Sequence, residues 1–198
     1  MTMRFGITYD YLCPFARNAN EHVVAALRGG AGWDVTFEPY SLAQNKVEDG
    51  AAAVWDREDA LAQSGILALA VAELVRVRDP ERFPAVHVEL FALRHDRGED
   101  LRDPAPVAAA LGRAGADPAL VDGAAEGLPA LAERHGRMVA REVWGVPTFL
   151  GSDRAVFVRV LDRPDGDAAL ARRRIERIVE LVEGEPMVHE FKQVDLPR

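Results

Sequence analysis

The pattern of hydrophobic and polar positions divides the chain into two strand-bearing ends and a helical middle. The segment from Met3 to Tyr9 is rich in aromatic and β-branched residues, which predicts a strand. From Pro14, apolar residues recur at helical spacing and predict a helix that ends at Gly29. Alternation from Trp33 to Leu42 predicts a second strand. Because a strand, a helix and a strand in this order form a βαβ unit, we expect the two strands to be parallel neighbours.

The middle of the chain is compatible with helix almost throughout and is rich in Ala and Leu. The segment from Glu58 to Arg78 is apolar nearly all round at its centre, which predicts one buried helix. Pro84 opens another helix. Prolines and glycines separate further predicted helices at Pro104–Leu111, Pro118–Ala125 and Leu128–Val143. Because no fixed period is visible, we interpret this stretch as an insertion and not as a repeat array.

Strand signals return after the helical middle. Thr148–Leu150 and Ala155–Leu161 predict a hairpin, and Asp165–Val182 predicts a final amphipathic helix. The tail from Met187 to Arg198 alternates weakly, as an edge strand or a docking arm would. This order predicts an α/β domain with a central mixed sheet. We divide the chain into a first sheet part at 1–55, a helical insertion at 56–141, and a second sheet part with the C-terminal tail at 142–198.

Composition narrows the classes of function. The net charge of −8 argues against a general nucleic-acid binder, because phosphate neutralisation needs clustered Lys and Arg. The most apolar stretch, Gly65 to Ala72, is far shorter than the roughly 20 residues of a membrane span. The N-terminus lacks the features of a signal peptide. We therefore expect a cytoplasmic protein with no nucleic-acid or membrane partner.

Cys13 is the strongest candidate for chemistry. It is the only cysteine of the chain, so no disulfide can form within the chain. It directly precedes Pro14 at a predicted helix start, where backbone N–H groups and the helix dipole favour a thiolate. Such positions lower a cysteine pKa from about 8.5 to roughly 3.5–7.5, which predicts a nucleophile. The alternative is a buried, inert cysteine. The five histidines show no metal-ligand spacing, so we expect no metal site.

A second signal comes from Val146-Pro147, which follows the helical stretch and opens a predicted strand, a position compatible with a cis peptide bond. With it, two segments carry a resemblance to a known family: Asp10-Tyr11-Leu12-Cys13-Pro14-Phe15-Ala16 and Trp144-Gly145-Val146-Pro147-Thr148-Phe149. Together they resemble the DsbA-type branch of the thioredoxin superfamily, which includes kappa-class glutathione transferases and 2-hydroxychromene-2-carboxylate isomerases. The resemblance covers essentially the whole chain. It implies a thioredoxin-like fold with an inserted all-helical domain.

The resemblance also implies roles for individual residues. Cys13 would be the nucleophile, the backbone of Val146 would bind a thiol or peptide, and Pro147 would shape the site. Dithiol members of the family carry Cys-x-x-Cys, but the fourth position here is Ala16. A mixed disulfide at Cys13 therefore needs an external thiol for its release. The transferases and isomerases of this branch carry a serine where this chain has Cys13. Pro14, Phe15, Ala16, Val146, Pro147 and Asp10 form the predicted substrate- or thiol-binding set, and Asp10 is a candidate for proton transfer or for a structural turn.

Three interpretations follow from these residues. The first is a thiol-dependent oxidoreductase or thiol transferase that works through Cys13 and a low-molecular-weight thiol. The second is a kappa-like transferase or isomerase in which Cys13 only orients a bound thiol. The third is a non-catalytic binding protein on the same fold. We expect no tightly bound cofactor, and a composition typical of a GC-rich source makes mycothiol as well as glutathione a candidate co-substrate. The sequence leaves the oligomeric state open, with a homodimer as one option.

Overall fold

The computed structural model describes residues 2–185 and residue 187. Of the predicted tail from Met187 to Arg198, residues 188–198 lie outside the described residues. The strands are β1 (Arg4–Tyr9), β2 (Asp34–Pro39), β3 (Thr148–Leu150) and β4 (Ala155–Phe157). The helices are α1 (Pro14–Arg28), α2 (Ile66–Arg78), α3 (Phe83–His95), α4 (Pro104–Arg113), α5 (Leu128–Ala140) and α6 (Ala168–Gly184). Within the described ranges, no helix is long and apolar enough to cross a membrane.

The described strands form a mixed sheet in the order β2-β1-β3-β4. β1 pairs with β2 in parallel register, with Phe5 opposite Val35 and Ile7 opposite Phe37. This arrangement confirms the predicted βαβ unit. β3 pairs antiparallel with β1 and with β4, which confirms the mixed sheet and the hairpin, although β4 ends at Phe157 and not at the predicted Leu161. Because β1 is a central strand, the residues that follow it lie near the middle of the sheet edge.

Helices α1 and α6 pack against each other, and α6 also contacts β3. The helix α1 begins where the sequence predicts it, with Pro14 in its first turn and Cys13 as its N-cap residue. Its apolar positions at Ala16, Ala19 and Val23 are fully buried. Burial of this helical face against the sheet therefore fixes the orientation of α1 and of the cysteine at its start.

The helices α2 to α5 lie between β2 and β3 in the chain, as the predicted insertion does. A buried polar network joins α3 to the turn after β1 and to α1. Tyr11 Oη lies 3.0 Å from His87 Nδ1, and His87 Nε2 lies 3.0 Å from Asn20 Oδ1. Burial and the charge of Arg76 hold the pKa of His87 well below its usual range, so this imidazole is neutral at physiological pH. The network orients the turn before α1 relative to α3.

Two predicted helices of the insertion differ in the structure. The predicted helix from Glu58 to Arg78 begins only at Ile66, because Gly65 adopts a left-handed conformation with φ of 78° and ends the preceding turns. The predicted helix Pro118–Ala125 is two short 3₁₀ turns. Pro118 is the first residue of the first turn and Gly123 lies between the two turns, and both residues disfavour a continuous α-helix.

Gly127 allows the start of α5 to contact α2, and this position generates a prediction. A β-carbon at residue 127 would lie 2.1 Å from the backbone oxygen of Ala70. Because this oxygen belongs to a helix backbone and cannot rotate away, α5 would have to shift. We expect Gly127→Ala to lower the free energy of unfolding by about 1–3 kcal/mol, as overpacking does. Urea denaturation measures this change.

Gly136 provides the matched control for this prediction. It lies on the exposed face of the same helix, and a β-carbon there would meet nothing within 4 Å. Gly136→Ala should therefore raise the free energy of unfolding by about 0.5–1 kcal/mol, because alanine has the higher helix propensity. Equal effects of the two substitutions would contradict the packing argument.

Candidate active site

Cys13 lies at the junction between β1 and α1, and its side chain is half-buried. Its sulfur accepts a hydrogen bond from the backbone N–H of Ala16, with a distance of 3.4 Å between Sγ and N. The thiol donates to the carbonyl oxygen of Val146, also at 3.4 Å. The peptide bond between Val146 and Pro147 is cis. The structure therefore brings the two predicted motifs together around one sulfur atom.

The pKa of Cys13 differs from the sequence-based expectation. Burial raises the pKa of this thiol above its usual value, and the charge of Asp10 raises it further, while hydrogen bonds from the backbone N–H groups of Ala16 and Phe15 lower it. This direction is opposite to the lowered pKa that the sequence predicts for Cys13. The sequence places Cys13 correctly at a helix N-terminus, but it does not show how much solvent the fold removes from the sulfur. The hydrogen bond to Val146 also requires the proton.

Asp10 fixes the turn that carries Cys13. Its carboxylate is fully buried and accepts hydrogen bonds from the backbone N–H of Leu12 at 2.8 Å and of Leu42 at 2.7 Å. Its backbone oxygen accepts from the N–H of Cys13 at 3.1 Å. Burial raises the pKa of Asp10 to about 6, although the two hydrogen bonds and the charge of Lys46 oppose this change. Asp10 is thus a structural residue of the turn and also a group that titrates near neutral pH.

Threonines anchor the segment before Pro147 to β1. Thr8 Oγ1 accepts from the backbone N–H of Thr148 at 2.8 Å and donates to the carbonyl of Gly145 at 3.3 Å. Thr148 Oγ1 donates to the same carbonyl at 2.8 Å. Both hydroxyls are buried, so the segment is held against the sheet. This contact sets the distance between Val146 and the sulfur of Cys13.

A cavity of about 630 Å³ adjoins the Cys13 turn on the side of Leu12. The volume is in the range of small-molecule sites. The lining residues are Leu12, Leu42, Ala43, Lys46, Val47, Glu48, Ala51, Val54, Arg57, Gln63 and Ser64. Two of them, Lys46 and Arg57, are cationic, and the charge of Lys46 reaches the carboxylate of Asp10. Most of the lining belongs to the irregular segment between β2 and α2, where the sequence offered no motif to identify a site.

The remaining predicted residues lie around the sulfur in different environments. Pro14 is exposed, Phe15 is half-buried, and Ala16 is fully buried in the core. Pro147 is buried against the sheet. The side chain of Ala16 faces away from solvent, so only its backbone N–H serves the site. Among residues 2–185 and 187, no group of three or more His, Cys, Asp or Glu side chains forms a metal site.

Arg17 and Asn18, in the first turns of α1, form contacts with other side chains and backbone groups of the protein. Arg17 is buried and forms ion pairs with Glu21 and Asp96, at 2.9 and 2.6 Å. Asn18 Nδ2 donates to the carbonyl of Val160 at 3.0 Å. These side chains fix the surroundings of α1, and their polar groups already have protein partners.

Comparison with solved structures gives matches over nearly the whole chain. The cytosolic disulfide reductase DsbM from Pseudomonas aeruginosa, in a structure with GSH, is 19% identical with a TM-score of 0.57, and the match covers 90% of this chain and 100% of that one. A 2-hydroxychromene-2-carboxylate isomerase is 15% identical with a TM-score of 0.63, covering 90% of this chain and 97% of that one.

A probable DsbA oxidoreductase from Streptomyces coelicolor is 16% identical with a TM-score of 0.64, and the match covers 98% of this chain and 94% of that one. No family model matches the chain, and no curated protein matches it by sequence. At these identities the similarity concerns the fold. The chain has the DsbA-like thioredoxin fold with a helical insertion, as the two motifs around Cys13 and Pro147 predict.

The effect of Asp10 on Cys13 generates a prediction. With a pKa of about 6, Asp10 is ionised over the pH range in which Cys13 loses its proton, and its charge opposes that loss. Asp10→Asn removes this charge. We therefore expect the pKa of Cys13 to fall, so that the midpoint of iodoacetamide alkylation moves to lower pH. The measurement is the alkylation rate between pH 5 and 10 by intact mass.

Asp49→Asn is the control, since Asp49 is an exposed carboxylate in the segment after β2 and the substitution makes the same change in net charge. Its alkylation profile should match that of the wild type. An unchanged or higher midpoint in Asp10→Asn would show that the carboxylate does not act on the thiol. Because Asp10→Asn also removes an acceptor from a buried N–H, we expect a loss of about 1–3 kcal/mol in stability, which urea denaturation checks.

Proposed function

We propose that this protein is a monothiol oxidoreductase or thiol transferase that exchanges thiols and disulfides through Cys13 with an external low-molecular-weight thiol. One observation carries the proposal. The sulfur of Cys13 is partly accessible at the N-terminus of α1, with a backbone N–H of Ala16 and the carbonyl of Val146 each at 3.4 Å. The DsbA-like fold and its similarity to a disulfide reductase support the same class of reaction.

The exchange begins with loss of the Cys13 proton to solvent. The Cys13 thiolate then attacks one sulfur of a disulfide, a new S–S bond forms at Sγ, and the other sulfur leaves as a thiolate that takes up a proton. A second, external thiol attacks the mixed disulfide, which restores Cys13 and releases a new disulfide. The N–H groups of Phe15 and Ala16 stabilise the charge on Sγ when it develops. A thiol with a raised pKa is also the stronger nucleophile once ionised.

The cavity beside Leu12 suits the thiol partner. Its volume of about 630 Å³ accommodates a tripeptide-sized ligand, and Lys46 and Arg57 supply cations for carboxylates. A structure similar to this one contains GSH, which makes glutathione the first candidate. Mycothiol remains the second. We also propose that the protein acts in the cytoplasm, in line with the cytosolic disulfide reductase of the same fold.

A second candidate function follows from the protonation state of Cys13. The raised pKa keeps a proton on the sulfur, and that proton is donated to Val146. A thiol in this state can donate a hydrogen bond to the thiolate of a bound cofactor without exchanging with it. This is the chemistry of a transferase or isomerase that uses a thiol cofactor, and one similar structure is an isomerase.

Replacement of Cys13 separates the two functions. If Cys13 is the nucleophile, Cys13→Ser should lower the rate of disulfide exchange by more than about a thousandfold. The measurement is turnover of oxidised glutathione or of a mixed disulfide, coupled to intact-mass detection of the adduct. Wild-type protein should gain one glutathionyl group, and the variant should gain none.

If Cys13 only orients a cofactor thiol, the serine hydroxyl can replace the hydrogen bond, and Cys13→Ser should retain activity while Cys13→Ala loses it. A wild-type protein that forms no adduct and binds glutathione without turnover would favour the third interpretation, a binding protein.

Lys46 tests the proposed role of the cavity. We expect Lys46→Gln to raise KM for glutathione about two- to fivefold with little change in kcat, because an exposed charge pair contributes up to about 1 kcal/mol. Steady-state kinetics at low ionic strength give both constants. Glu48→Gln, a neighbouring exposed residue of opposite charge, should lower KM or leave it unchanged. A fall in kcat alone would contradict a role in binding.

A further inference from the structure

The side chain of Phe15, a residue of the Cys13 motif, contacts a cationic side chain. The guanidinium carbon of Arg159 lies 5.5 Å from the centre of the Phe15 ring, and Phe15 is the second residue after Cys13. Arg159 is exposed and follows the end of β4 by two residues. It is therefore a charged side chain at the rim of the site, outside the cavity that contains Lys46.

The backbone around Arg159 is fixed on both sides. The N–H of Val158 donates to the carbonyl of Pro147 at 3.2 Å. The carbonyl of Val160 accepts from Asn18 at 3.0 Å, and the side chain of Val160 is buried. Residue 159 is thus held between a contact to the proline of the site and a contact to α1. This irregular segment has a defined course, so the position of Arg159 near α1 follows from these contacts.

Arg159 and Arg163 differ in their ion pairs. Arg163 forms ion pairs with Glu21 and Asp96, at 2.6 and 3.5 Å. Within residues 2–185 and 187, no carboxylate lies within 4.0 Å of the Arg159 guanidinium. Its contact is the face of an aromatic ring, which leaves the N–H groups available to a ligand. The chain carries a net charge of −8 and repels anions as a whole, so a cation over Phe15 with no carboxylate partner among the described residues makes the local field more positive.

We propose that Arg159 is a specificity-determining residue that binds a carboxylate on the thiol or disulfide reacting at Cys13. The guanidinium matches a carboxylate with two parallel N–H groups and remains charged at every pH of interest. The site then selects anionic over cationic partners. This inference rests on the proposed exchange reaction at Cys13 and adds the charge class of its substrate.

Two disulfides of equal reach and opposite charge test the proposal: 3,3′-dithiodipropionate, which is dianionic, and cystamine, which is dicationic. With either reagent the Cys13 thiolate forms an S–S bond to one sulfur, and the other half leaves as a thiol. Intact mass gives the rate of mixed-disulfide formation at Cys13. We expect the anionic reagent to react faster with the wild-type protein, and the preference to decrease at high ionic strength.

Arg159→Gln should lower the rate with dithiodipropionate about 3- to 10-fold and leave the rate with cystamine unchanged or higher. Arg159→Lys should retain most of the preference, and Arg159→Glu should reverse it. Arg173→Gln is the control, because Arg173 is exposed on α6 and the substitution makes the same change in net charge. It should leave the ratio of the two rates as in the wild type.

The ratio distinguishes this proposal from the proposed function itself. If the wild-type protein reacts with both disulfides and Arg159→Gln leaves the ratio unchanged, Arg159 selects no anion and the inference fails while the exchange reaction stands. If Arg159→Gln slows both reagents equally, Arg159 acts on the thiolate in general, and the specificity role is again overturned. If neither reagent modifies Cys13, the exchange reaction fails and the inference fails with it.

Discussion

The buried carboxylate of Asp10 is the contact on which the site depends. It accepts hydrogen bonds from the N–H groups of Leu12 and Leu42. These bonds join the turn before α1 to the segment after β2. That segment lines the cavity, and that turn presents Cys13. Burying a carboxylate in this position opposes its ionisation, which is why the pKa of Asp10 rises to about 6. The same charge raises the pKa of Cys13, so one residue both holds the turn in place and opposes ionisation of the thiol.

The helical insertion also holds the turn that carries Cys13. His95 Nε2 lies 2.9 Å from the backbone oxygen of Tyr11, and the hydroxyl of Tyr11 contacts His87. Both histidines belong to α3. Burial lowers the pKa of each, so neither imidazole adds a positive charge near Cys13 at neutral pH. The insertion thereby holds the turn through hydrogen bonds of neutral side chains, whereas Lys46, Arg57 and Arg159 are cations.

The sequence predicts those helices and strands that depend on the spacing of neighbouring residues. The apolar spacing from Ala16 to Leu27 and the proline at its start are sufficient to predict α1 and the position of Cys13. The start of α2 could not be predicted in the same way, because it depends on Gly65, where a β-carbon would lie 3.2 Å from Leu12. The pKa of Cys13 and the position of Arg159 are consequences of burial and of loop contacts between distant residues. Neither has a local pattern in the sequence.

A single cysteine places a particular demand on the structure around it. In a dithiol protein the second cysteine resolves the mixed disulfide from within, whereas in the exchange proposed for this chain both the substrate and the resolving thiol reach the same sulfur from solvent. A fully buried Cys13 could not meet this demand, and a fully exposed one would lose the N–H groups of Phe15 and Ala16. The half-buried position, with exposed Pro14 beside it, satisfies both requirements. The raised thiol pKa is then a consequence of partial burial, which opposes the charge on the sulfur more strongly than the backbone N–H groups favour it.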